Sequence, residues 1–399
     1  MKKTLLVLCV FLLLGGLLFA GGQGDKGGAA KTGSADKENV ANSLKADAIA
    51  PTLKAPDGQP LVFPGFVKQF PKRPADPTAL PNEDPGRWYD FEYAGWSTDK
   101  INIPKSPANG SIGRKIIMVA QGEHPYYTAY TDAAKLMAKT YGITLKVTIP
   151  NWDLNTQNQY IDQAINEKPD LIILLPLDAN AALQQYKKIN EAGIPVIAAH
   201  MLASEEALKY CLLWTGPDEW APRRELSKLL AKKLGNKGGY AIMSHNPGGS
   251  TYFSRGYGYV STLSQIAPDM KLLDLQSPGF DAEKSKQLAL DWIKRYREDL
   301  KAIIAADDGP QMVGIIEACK QANREDIVLI AAGNSKVGMD GVKEGKILAI
   351  NYESPAACAA TAIKVAADWF NGKKVERAVY LPPVIITKEN VAGFYPPQW

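Results

Sequence analysis

Residues 114–150 read RKIIMVAQGEHPYYTAYTDAAKLMAKTYGITLKVTIP, and the fold follows from how this stretch is read. The apolar run Lys115–Ala120 is too short to cross a membrane and too continuous to have a solvated face, the pattern of a strand buried on both sides. Helical spacing follows at Ala133, Leu136 and Met137, and Leu145–Ile149 then reads as a second buried strand. The alternation continues outward: strands at Leu171–Leu175 and Val196–Ala199, helix-period positions at Ile161, Ala164 and Ile165, then at Leu183, Tyr186 and Ile189. Beyond Trp214 come strands at Tyr240–Met243, Leu272–Leu275, Ala302–Ala306, Ile327–Ala332 and Lys346–Asn351, separated by helical patterns and followed by the alanine-rich helix Ala356–Phe370. Strand, helix, strand at this rhythm requires right-handed crossovers and parallel sheets covered by helices. Such sheets bind ligands beyond the carboxyl ends of their strands, so the loops there are the place to look for function.

The 399 residues are too many for one ordinary core and suit two lobes plus extensions. Met1-Lys2-Lys3 and the apolar Leu5–Phe19, with Ala20 before Gly21-Gly22, read as a cleavable export signal over residues 1–20. About fifteen apolar residues fall short of the ~20 a spanning helix needs. A lipid anchor is disfavoured, because Gly21 and Gly22 stand where a lipoprotein carries cysteine and Cys9 comes too early. Residues 21–50, rich in Gly, Ala, Ser and Lys, read as a flexible tether.

Residues 51–112 form a proline-rich strap, with Pro56, Pro60, Pro64, Pro71, Pro74, Pro77, Pro81 and Pro85 excluding helix and ladder. Its aromatic residues Trp88, Tyr89, Phe91, Tyr93 and Trp96 need a surface to dock on, either the body of the protein or a partner for which the strap is an arm or lid.

Net charge is +4, falling to +2 without Lys2 and Lys3, and no basic stripe points to nucleic acid. Cleavage would leave Cys211, Cys319 and Cys358, an odd number in an oxidising compartment, which favours buried thiols over a disulfide framework; a Cys211–Cys358 bridge is left open. Enzyme motifs are missing: Gly333-Asn334-Ser335-Lys336-Val337-Gly338 misses the nucleophile-elbow spacing by one residue, and no Walker lysine or complete dinucleotide loop is present. His124, His200 and His245 follow strands but lack metal-ligand spacing, so no metal is expected. No cofactor is expected either.

The strand ends carry His124-Pro125-Tyr126-Tyr127, His200, Arg255, Phe280, Asp307-Asp308, Asn334 and Glu353. Aromatic faces mixed with carboxylates, an amide and a guanidinium suit a sugar, whose C–H face packs on a ring and whose hydroxyls need donors and acceptors. In order and spacing, His124–Tyr127, Asp170–Pro176, Ala192–Val196, Thr215-Gly216-Pro217-Asp218, Arg255-Gly256 and Ile386–Val391 resemble the periplasmic sugar-binding proteins of the ribose- and galactose-binding type, which serve ABC importers. The resemblance spans Arg114–Val391, about seventy per cent of the chain.

That resemblance implies an α/β fold of two Rossmann-like lobes with parallel sheets, joined by three crossover strands and closing on one sugar. Lobe 1 would hold 113–217 plus 354–379, and lobe 2 218–353 plus 380–399. It implies that Tyr126 and Tyr127 stack on one face of the ring and Phe280 on the other, that Arg255 makes a bidentate contact to ring oxygen or hydroxyls, and that Asp307, Asn334 and Glu353 take hydroxyls. Asp308, His124 and His200 complete the expected ligand set. Some positions depart from the family pattern: histidine at 124 where asparagine is common, His200 for an aspartate or asparagine, Asn334 for aspartate and Glu353 for glutamine. The expectation is thus a non-enzymatic, monomeric periplasmic receptor that passes a monosaccharide or polyol to an ABC permease. A sensory receptor coupled to a membrane kinase or chemoreceptor is the alternative, and a periplasmic sugar-modifying enzyme a remote one.

Overall fold

A computed structural model describes residues 27–399 except 64, 65, 67 and 96–98, with side chains from Ser34 onward. Two six-stranded sheets form the frame. The first contains β1 (Lys115–Val119), β2 (Thr144–Thr148), β3 (Leu171–Leu174), β4 (Val196–Ala199), β5 (Leu213–Pro217) and β11 (Ala378–Leu381), in the order β2-β1-β3-β4-β5-β11 and parallel throughout. The second contains β6 (Lys237–Met243), β7 (Asp269–Gln276), β8 (Leu300–Ala305), β9 (Val328–Ala332), β10 (Ala349–Asn351) and β12 (Ile385–Thr387). Its order is β7-β6-β8-β9-β10-β12, parallel except for β12.

Alternation along each strand explains why both faces need cover. Ile116 and Met118 enter one core of the first lobe, beneath helices Pro125–Thr140 and Pro355–Phe370, while Ile117 and Val119 enter the opposite core with Tyr186 and Trp214. In the second lobe, Ile303 and Ala305 face Trp292 and Met312, whereas Ala302 and Ile304 face Leu226 and Tyr259. Cys358 and Cys211 occupy the two different cores of the first lobe, so its sheet lies between them and rules out a bridge; all three described cysteines are free and buried.

The chain passes between the sheets three times: after β5, after β10 and after β11. All of β11, through Leu381, pairs with the first sheet, so the third passage lies past the Val379–Tyr380 junction at which the sequence reading divides the lobes. One strand differs from its reading: β2 is an edge strand with Thr144 and Lys146 exposed, not a strand buried on both faces.

The proposed export signal lies outside the described residues. From Gly27 to Ile49 the chain is helical, which corrects the reading of that part of 21–50 as a flexible tether; residues 21–26 lie outside the described residues. Composition suggests flexibility, but tertiary anchors decide: Ser43 Oγ lies 2.7 Å from Ser111 Oγ, and Asp47 accepts from Tyr141 Oη (2.7 Å) and Lys373 Nζ (2.5 Å). Among the described residues no helix is long and apolar enough to cross a membrane.

The strap runs over both lobes. Ala55 and Leu61 join the first lobe's core, and Trp88 is buried against the second lobe, stacked on Tyr257 with centroids 4.4 Å apart. The chain then returns to the first lobe, where Ile101 N donates to Lys209 O (2.9 Å) and Gly110 N to Phe370 O (3.2 Å). Docking on the body thus buries Trp88, and Phe91 meets Phe253 at 4.3 Å while staying exposed, whereas Tyr89 packs on Tyr93 within the strap; Trp96 lies outside the described residues.

Candidate functional site

The carboxyl ends of the two sheets face each other across a closed cleft. Ala179 N donates to Gly248 O (3.3 Å) and Leu202 N to Ser250 Oγ (3.2 Å), each bond crossing from lobe to lobe. One small cavity there, lined by Trp214, Trp220 and Tyr380 as well as by His200, Glu219, Ser254 and the strap's Lys68, has about 10 Å³ of space, room for roughly one water. A groove of about 960 Å³ lies apart from it, between the strap at Lys54–Pro56, helix Pro125–Thr140 and Trp399. The cavity brings His200 of the first lobe beside Glu219, Ser250 and Ser254 of the second, whereas His124 lines the larger groove.

On the first-lobe side, His124 caps helix Pro125–Thr140, its Nδ1 accepting from Tyr126 N at 3.1 Å. Proline at the first helical position gives up no hydrogen bond the helix would make. Tyr126 and Tyr127 follow on the first turn with rings edge-on at 5.2 Å. Tyr126 Oη lies 3.4 Å from His200 Nδ1, and Tyr127 Oη donates to Gln121 Oε1. His200 stands just past β4 with φ +66°, a left-handed conformation unusual for a bulky residue and fixed by its N–H donating to Thr215 O (2.9 Å). Burial lowers the pKa of both His124 and His200, so each imidazole is neutral at pH 7.

On the second-lobe side, Phe280 is 43% exposed and meets His245 edge-on at 4.7 Å. Burial, then the nearby Arg255 charge, presses the His245 pKa to about 3. Asp307 ends β8 with Oδ1 accepting from Gly309 N (3.0 Å), and burial lifts its pKa to about 6. Asn334 Oδ1 accepts from Glu353 N (3.0 Å), tying the β9 end to the β10 end.

Asp308, expected beside Asp307 as a ligand contact, is instead fully buried within the second lobe. Its Oδ2 accepts from Ser335 N (2.9 Å), and Gly333 and Gly338 pass so close to the carboxyl that neither has room for a side chain. Burial, then the neighbouring Asp307, raises its pKa well above the usual range. It secures the β9 loop rather than facing the cleft.

Arg255 is where expectation and geometry differ most. Its fork is engaged by protein: Nε and Nη2 donate to Glu219 at 3.0 and 2.8 Å, Nη2 also to Glu353 Oε2 (2.7 Å), and Nη1 to Ala306 O (2.9 Å). Arg223 completes the network, donating through Nη2 to Glu219 Oε2 (3.2 Å) and Glu353 Oε1 (3.1 Å) and through Nη1 to Asn351 Oδ1 (2.9 Å). Two arginines thus meet two carboxylates in a nearly dry setting. Burial works to raise the Glu219 pKa, but Arg255 and Arg223 overcome it and hold the group down to about 2. Sequence reasoning passes over Glu219 and Arg223: they look like an ordinary charged helix start, and only the crossover after β5 brings them to the β6 and β10 ends. The C-terminal Trp399 is equally unannounced. Its ring lies 5.6 Å from both His124 and Tyr126, while its carbonyl accepts from Lys336 N of the second lobe (3.0 Å).

Two lobes of parallel sheet crossed three times by the chain, with a polar cleft between their strand ends, define a hinged receptor for a small solute. The chain belongs to the periplasmic binding protein family, whose domain model matches residues 112–374. It is similar to the xylitol-binding protein of Mycolicibacterium smegmatis, 26% identical over 285 residues that cover 71% of this chain and 80% of that one. It is also similar to the ribose import binding protein of Bacillus subtilis, 22% identical over 273 residues, 68% of this chain and 87% of the other. In fold it matches an ABC transporter solute binding protein of Bacillus halodurans solved with bound myo-inositol, with a TM-score of 0.66 and 23% identity over 72% of this chain and 99% of that one.

Proposed function

We propose that this protein is an exported, monomeric receptor that captures a monosaccharide or polyol between its lobes and delivers it to an ABC permease. The observation that carries the reading is the cleft itself. In this reading Tyr126, Tyr127 and His200 serve the ligand from one lobe and Phe280, Asp307 and the Arg255–Glu353 pair from the other, a set that offers C–H-packing faces and hydroxyl partners at once. Relatives named for xylitol and ribose, and a structural neighbour holding myo-inositol, support a small polyhydroxylated ligand.

The mechanism is a population shift. A ligand that touches both lobes only when they are closed stabilises the closed form, and the permease reads that form. Uptake tests the delivery step. Cells lacking the protein should lose uptake of the labelled polyol that the purified protein binds and regain it with the gene restored; unchanged uptake would contradict a transport role.

A further inference from the structure

Building on the sugar or polyol reading, we infer that Glu219 sets the charge specificity of the cleft, selecting neutral polyols and rejecting acidic sugars such as aldonates and sugar phosphates. An arginine at a ligand cleft ordinarily offers a planar fork to acceptors, and an anion is its best partner. Here four of its five N–H groups are taken, and the single one left on Nη1 cannot make a bidentate grip. Of the five N–H groups of Arg255, one on Nε and two on Nη2 go to carboxylates and one on Nη1 goes to Ala306 O. Arg223 is engaged through Nε to Glu219 O (3.1 Å), through Nη1 to Asn351 and through Nη2 to both carboxylates.

What remains open is the acceptor side. A carboxylate has about four lone-pair sites. Among the described residues, Glu219 Oε1 takes one bond, from Arg255, while Oε2 takes two. Glu353 Oε2 likewise takes one and Oε1 two. Each carboxylate therefore keeps a free acceptor site, which a hydroxyl proton can use. With Asp307 nearby, an incoming anion would meet carboxylates and no guanidinium edge free for a bidentate contact, a juxtaposition that costs affinity. Imidazoles do not offset this, since burial keeps His200 and His245 uncharged at neutral pH. Negative selection of this kind discriminates as strongly as attraction does.

The test is calorimetry on refolded protein with three matched pairs: xylitol and xylonate, D-ribose and D-ribose 5-phosphate, myo-inositol and myo-inositol 1-phosphate. The wild type should bind at least one neutral member at least a hundredfold more tightly than its charged counterpart. In Glu219→Gln the Arg255 fork is released, and that ratio should fall at least tenfold, while Glu219→Asp should retain the preference. A wild type that binds the charged member equally well overturns the inference without any variant, and so does a ratio unchanged in Glu219→Gln. If no neutral member binds, the pair is rebuilt from the sugar or polyol that shifts the melting transition and its aldonate or phosphate; if no sugar or polyol shifts it, the sugar reading itself fails and takes this inference with it, an outcome distinct from loss of discrimination alone.

Discussion

Lys68 of the strap and Asp218 of the first crossover form a buried ion pair, Nζ to Oδ1 at 3.0 Å, with side-chain exposures of 5% and 1%. Asp218 Oδ1 also accepts from Trp220 N and Ala221 N, both at 3.0 Å, and so starts the helix that follows Glu219. Lys68 is held from its other side by Glu92 at 3.1 Å, and Glu92 in turn pairs with Arg224 at 2.6 Å. The strap is thereby joined to the point where the chain passes from one lobe to the other.

Replacing Lys68 by Met would leave Asp218 buried without its cation. Removing one partner of a buried pair costs roughly 3–5 kcal/mol. Urea unfolding of Lys68→Met should show a midpoint lowered accordingly. A wild-type midpoint would mean that the strap lies on the hinge without stabilising it.

Arg255→Ala should cost both affinity and stability, because Glu219 and Glu353 would lose a shared cation in a nearly dry site. The expected loss of stability is about 3–5 kcal/mol. Arg255→Ala that melts like wild type would show that the network is solvated in solution, contrary to the geometry.

Phe280 and Tyr127 should behave differently. Phe280 is half-exposed, so Phe280→Ala should weaken ligand binding with little change in ligand-free melting; Tyr127 is buried in the first lobe's core, so Tyr127→Ala should lower both. Equal loss of stability in the two variants, with normal binding by Phe280→Ala, would make Phe280 a packing residue and remove it from the site.

Asp307 gives a pH signature. Its folded pKa, about 6, lies above the ordinary 3.8, so the folded state binds this proton more tightly than the unfolded chain. The resulting stabilisation is full below 3.8 and is lost as pH rises through about 6, an interval worth about 3 kcal/mol. Asp307→Asn keeps an oxygen for Gly309 N and removes the charge. It should therefore raise the ligand-free melting temperature at pH 7.5, not at pH 4, and weaken ligand binding. Equal melting of variant and wild type at both pH values would place Asp307 in water.

Much of the fold was legible because strands buried on both faces leave continuous apolar runs, as at Leu171–Leu174 and Val196–Ala199. β5 was harder to see: Leu213–Pro217 contains Gly216 and Pro217, which look like a turn, yet Gly216 is required there because His200 O lies where a side chain would begin. At the site, His124, Tyr126 and Tyr127 could be read locally, since one helix start holds all three. Glu219 and Arg255 could not, because the contact between residues 36 apart exists only once helices Ala221–Leu234 and Ser250–Ile266 pack side by side in the second lobe. Asp308 shows the converse: an adjacent pair of carboxylates looks like one ligand set, but the backbone after β8 sends its second member inward.

The most direct test is thermal melting of protein that has been unfolded and refolded to strip bound ligand, across aldopentoses, aldohexoses, inositols, sugar alcohols, nucleosides and short peptides. A ligand that binds only the folded, closed form stabilises it by about 2.7 kcal/mol at a hundredfold excess over Kd, enough to move the transition by several degrees. One or a few monosaccharides or polyols should produce that shift, and peptides should produce none. No response to any sugar or polyol, with a clear response to a nucleoside or peptide, would contradict the account.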